Sequence, residues 1–136
     1  MDSSIRQLRI IQSALLISIV LYVFVALHAP VRSHGIPLMI LCLALLSGAM
    51  AIAVFVIRTK MVGKFEALLA TQPDDKLVLS KWRSAYVLMW ALCEAIAMYG
   101  LTLRYLGFTM TQVAPFFAAG FLLMLVFPVR RPEMAR

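Results

Sequence analysis

The sequence predicts an all-α integral membrane protein: four transmembrane helices in one bundle, with the N-terminus and the C-terminus both cytoplasmic. Three observations predict it. First, 63% of the side chains are hydrophobic and the mean hydropathy is +0.94, whereas a soluble domain holds about 45–50% apolar residues. A chain of 136 residues with that excess cannot enclose its own apolar surface, and the bilayer is the alternative solvent. Second, the apolar residues gather into four runs that are almost free of charge. Third, the 13 Lys and Arg sort by segment: 2 in the N-terminal head, 6 in the long middle connection with Lys81 and Arg83 counted, 3 in the tail and 1 in each short turn. A split of 11 against 2 puts both termini and the middle connection on the cytoplasmic side. The same placement explains the net charge of +7 without nucleic acid as a partner.

Met1 to Arg9 is a polar head. Ile10 to Leu27 is the first span, too long for a typical signal-peptide core and without an A-x-A cleavage pattern, so it reads as an uncleaved helix. His28 to Gly35 is a turn whose two histidines have no third ligand nearby, which argues against a metal site. Pro37 suits the first turn of the second span, Pro37 to Ile57. Ser47, Gly48, Ala49, Ala51 and Ala53 give that span a small-residue face of the kind that packs closely in lipid. The connection 58–81 carries Met61, Phe65, Leu68 and Leu69 at helical spacing, with Arg58, Lys60 and Lys64 largely elsewhere. It therefore reads as an amphipathic extension of span two and as a basic segment at the membrane surface. Pro73 marks its break, and Asp74 or Asp75 can cap the next helix. Span three is expected from Ser84 to Leu103, with Trp82 and Tyr86 at headgroup level and Arg104 reaching outward. A turn through Gly107 leads to span four, Thr111 to Phe127, with Pro115 near its first turn. Cys42 and Cys93 fall at different depths, so a disulfide is not expected.

Glu94 is the one acid inside an apolar run. Counting about 1.5 Å per residue puts it at the centre of span three. Ser18 and Ser47 reach the same depth on spans one and two by that count, and Tyr99 lies one turn beyond. An ionised carboxylate facing lipid there would cost at least about 2.5–3.5 kcal/mol. A neutral carboxyl facing other helices is therefore expected, with Ser18, Ser47 and Tyr99 as its polar neighbours. No Lys, Arg or His shares that depth.

The stretch Ala91-Leu92-Cys93-Glu94-Ala95-Ile96-Ala97-Met98-Tyr99-Gly100-Leu101 resembles the second helix of the ATP synthase c subunit, the rotary proteolipid. That family carries an E-A-x-A-I-Y-G-L-like run around its ion-binding carboxylate. Glu94, Ala95, Ala97, Tyr99, Gly100 and Leu101 match its spacing. Gln72-Pro73-Asp74 resembles the family's polar loop, with Thr71 where an arginine is usual. The resemblance covers about residues 71–103. It implies that Glu94 is a proton or sodium site with Tyr99 beside it. The chain departs from the family in having a glycine-poor second span and two further spans, the first and the fourth.

No nucleophile–base pair, metal-ligand cluster or glycine-rich phosphate loop is visible, so neither enzyme activity nor a cofactor is expected. Two functions remain. One is a proton- or cation-handling subunit with Glu94 as the carrier. The other is a structural or accessory subunit of a larger membrane complex, with Glu94 as a static interhelical group. Both place the chain in a multi-pass setting, the bacterial inner membrane, with the lipid bilayer and a protein partner (a second copy or another subunit) around it.

Overall fold

A computed structural model describes residues 2–30 and 36–131. All regular structure there is helical: α1 Asp2–His28, α2 Pro37–Thr71, α3 Lys76–Tyr105 and α4 Met110–Val126. The first three are long and apolar enough to cross a membrane. α4 is apolar but has 17 residues, which span about 26 Å. Within the turn 28–35, Arg32 and His34 lie outside the described residues, as does the tail beyond Arg131.

The polar head does not delay the first helix. Asp2 sits in the first turn of α1, where a carboxylate suits the positive end of the helix dipole. Ile5 and Leu8, one turn apart, bury against the bundle and hold that turn down. α2 begins with Pro37 and continues through the expected end of span two. At Ile57–Val62 it passes through a π-helical turn and resumes as Gly63–Thr71. Val62 and Leu69 are fully buried, so the extension is packed on the bundle. Asp75 caps α3, its Oδ1 accepting from the Leu77 and Val78 amides at 2.9 and 3.2 Å. The helix therefore starts eight residues before Ser84.

α3 ends in a Schellman motif. The Phe108 amide donates to the Leu103 carbonyl and the Gly107 amide to that of Arg104. Gly107 has φ 103°, the left-handed conformation that a side chain resists. Thr109 and Gln112 then form a capping box for α4. Pro115 is the sixth residue of that helix, where its missing N–H leaves the Thr111 carbonyl without the usual donor.

α3 is the axis of the molecule. α4 packs most extensively along it, α1 lies against both, and α2 lies along α3 with a slight touch to α4. Among the described residues α1 and α2 do not pack on each other. The chain ends and the middle connection meet at one end, which we call the basic end: Arg131 pairs with Asp2, Arg83 donates to Gln7, and Arg58 reaches Tyr86.

The close helix approach is not where the small-residue face predicts it. A Cβ on Gly48 would meet nothing within 4 Å, so α2 is open at that position, although Ser47 beside it is buried. The tight seam is α3 against α4. A Cβ on Gly120 would stand 2.6 Å from the Cys93 carbonyl oxygen, and one on Gly100 would stand 2.9 Å from Phe116 Cβ. Cys93, Ala97 and Gly100, at i, i+4 and i+7, form the matching face of α3.

Candidate functional site

Glu94 sits on the side of α3 that meets α1. Its Oε1 accepts a hydrogen bond from the Tyr22 hydroxyl at 2.7 Å. The carboxyl is half-buried, and its helical neighbours Ala91 and Met98 are exposed, so it lies at the rim of the α1–α3 seam. It forms no ion pair among the described residues.

The expected neighbours are elsewhere. The Ser18 hydroxyl bonds to the Ala14 carbonyl of its own helix at 3.1 Å, the ordinary outlet for a serine within a helix. Ser47 is buried, but its Oγ has no hydrogen-bond partner. It belongs to α2, which packs along α3 and not against α1. Tyr99 packs against the core, and Tyr22 is the phenol that reaches Glu94. The grouping of Ser18, Ser47 and Tyr99 around Glu94 is thus replaced by one tyrosine that depth counting passes over.

A second polar cluster closes the basic end. The Arg58 guanidinium pairs with Glu66 Oε1 at 3.0 Å and donates to the Tyr86 hydroxyl at 3.1 Å. That hydroxyl donates to Glu66 at 3.0 Å and accepts from the Arg130 amide at 3.4 Å. Three groups, two from α2 and one from the chain beyond α4, therefore converge on one phenolic oxygen of α3. Arg58 is consequently an internal group with 17% of its side chain exposed, not part of a basic surface. Lys60 and Lys64 are exposed, as expected.

Tyr86 is the middle of a ladder. Trp82, Tyr86 and Trp90 follow at i, i+4 and i+8, with ring centroids 5.3 and 5.4 Å apart. All three are fully buried, so Trp82 and Tyr86 do not face the headgroup level as their positions suggested. They fill the space between α3, the α2 extension and the segment that follows α4. Trp90 donates to the Phe127 carbonyl at 3.2 Å, while Trp82 Nε1 has no partner.

Arg104 is also buried, 8% exposed, rather than directed outward. Its Nε donates to the Ala26 carbonyl and its Nη1 to that of Phe108, both at 3.0 Å. Carbonyls at the end of α1 carry the negative pole of that helix, which suits a guanidinium.

Among the described residues no three His, Cys, Asp or Glu side chains come together as a metal-ligand set. Comparison with protein families, characterised proteins and solved structures finds no match to this chain.

Proposed function

We propose that this chain is a small multi-pass membrane subunit, working within a larger membrane assembly, in which Glu94 and Tyr22 are an interhelical clasp. One observation carries this reading: a 2.7 Å hydrogen bond between them joins α1 to α3, and lipid around two spanning helices would offer neither group a substitute partner. The apolar character of α1, α2 and α3 supports the membrane setting. The concentration of Lys and Arg at one end supports a cytoplasmic position for it.

A second reading, ion handling by Glu94, draws support from a different feature. Only one carboxyl oxygen accepts from Tyr22, and the group lies at the open rim of its seam. The likeness of residues 91–101 to the proteolipid helix points the same way.

Substitutions at the pair separate the two. A clasp needs only an acceptor at position 94, so Glu94→Gln should keep the parent's melting temperature and its partners. Glu94→Leu and Tyr22→Phe should each cost about 0.6–1.7 kcal/mol, from the average to the maximum for hydrogen bonds between membrane helices. Native mass measurement after gentle solubilisation reports the partners. If Glu94→Gln folds normally but abolishes both carbodiimide labelling and cellular function, the clasp reading falls and ion handling takes its place.

A further inference from the structure

The outer face of α1 at the basic end carries a groove of about 550 Å³ that also touches Arg131 beyond α4. Arg6, Arg9 and the paired Asp2 and Arg131 line it toward the chain ends, and Ile10, Ala14 and Ile17 line it further along α1. We propose that this groove binds one anionic phospholipid, with its phosphate on Arg6 and Arg9 and one acyl chain in the trough below.

The residues are sorted by depth along one helix stripe. Arg6, Ile10, Ala14 and Ile17 follow at spacings of four, four and three, which stacks them on one face. From Arg6 to Ile17 is about 16 Å of helix, close to the hydrocarbon depth of one leaflet, about 15 Å. Ala14 is the low point between two exposed isoleucines, Ile10 at 60% and Ile17 at 61%, so the stripe is a trough and not a ridge. The charge matches a phosphate. Arg6 and Arg9 are exposed and form no ion pair among the described residues. Arg131 is engaged by Asp2 at 2.9 Å, both well exposed, so it borders the site without supplying its main charge. A guanidinium offers phosphate two parallel donors. A free anion would have no use for the trough, and a zwitterionic lipid would leave two cations uncompensated.

The inference rests on α1 crossing a membrane with its charged end at the surface, and not on any role for Glu94. Purified protein is exchanged into detergent containing phosphatidylglycerol or phosphatidylcholine of identical acyl chains, and bound lipid is counted by native mass spectrometry. The parent should retain one phosphatidylglycerol in preference to phosphatidylcholine. Arg6→Gln with Arg9→Gln should lower that preference about 30-fold, roughly fivefold for each basic residue at an anionic surface. Lys76→Gln with Lys81→Gln, the same charge change elsewhere, should not lower it. Ala14→Phe fills the trough without touching charge and should also weaken retention, with the melting temperature unchanged. Equal retention of the two lipids by the parent overturns the proposal. So does full retention in either groove variant, or displacement of the lipid by millimolar inorganic phosphate.

Discussion

Gly120 and Gly48 are both helical glycines, and the structure gives them opposite weights. A methyl group on Gly120 would meet the backbone of α3 at Cys93, which cannot yield without moving the helix. Gly120→Ala should therefore cost about 1–3 kcal/mol as overpacking. Gly48→Ala meets open space and should be neutral or gain up to about 1 kcal/mol of helix propensity. Thermal unfolding in one detergent compares the pair directly. Glu94 shows how much of this was legible beforehand. An acid in an apolar run announces a polar group in a helix interface, but not its partner. Depth counting compares Cα positions, and Tyr22 joins from a different level because its ring carries the hydroxyl well away from its backbone. Ser18 and Ser47 matched in depth and failed in direction: one bonds to its own helix, and the other belongs to a helix that does not meet α1. Arg104 misled for a related reason. Snorkelling assumes that water is the only acceptor for a guanidinium, and here two main-chain carbonyls take that place.

The C-terminal ends of α1 and α4 are finished by side chains from other helices. Arg104 of α3 serves the end of α1, while Gln12 of α1 and Trp90 of α3 reach the carbonyls of Met124 and Phe127 at the end of α4. The Ala26 and Met124 carbonyls lack their usual i+4 amide because Pro30 and Pro128 stand there, and apart from Arg104 the Ala26 carbonyl accepts from the Ala29 amide at 3.3 Å. Gln12→Leu should therefore destabilise by about 1–2 kcal/mol even though it adds apolar surface. Local caps were readable because their signals are local: Pro37, Asp75 and Gly107 each stand within a few residues of the end they shape. Caps supplied from another helix leave no such trace. The α2 extension depends on the same kind of reach. Glu66→Leu would leave Arg58 half-buried without its carboxylate, which should cost about 2–3 kcal/mol. Replacing Arg58 and Glu66 together with Met and Leu should recover most of that loss, and a double-mutant cycle measures the difference.

At the scale of the whole molecule, periodicity and charge sorting were enough to find the four helices, because each states a relation between the chain and its solvent. Which helices touch was not legible, since adjacency in sequence is a weak guide when the central helix is the third. The orientation we propose is open to a direct test. In a background lacking Cys42 and Cys93, a water-soluble maleimide should label Gln112→Cys in intact cells and Asp74→Cys only after lysis; the reverse pattern would invert the topology. The arrangement around α3 also governs how the chain comes to exist. α1 and α2 do not pack on each other among the described residues, so the first half of the chain emerges from the ribosome as two helices without a mutual surface. The partner of both arrives only when α3 has been synthesised, and until then Tyr22 is unmatched. A chain cut short before Lys76 should be cleared by membrane quality control, whereas the segment from Lys76 onward retains the α3–α4 seam.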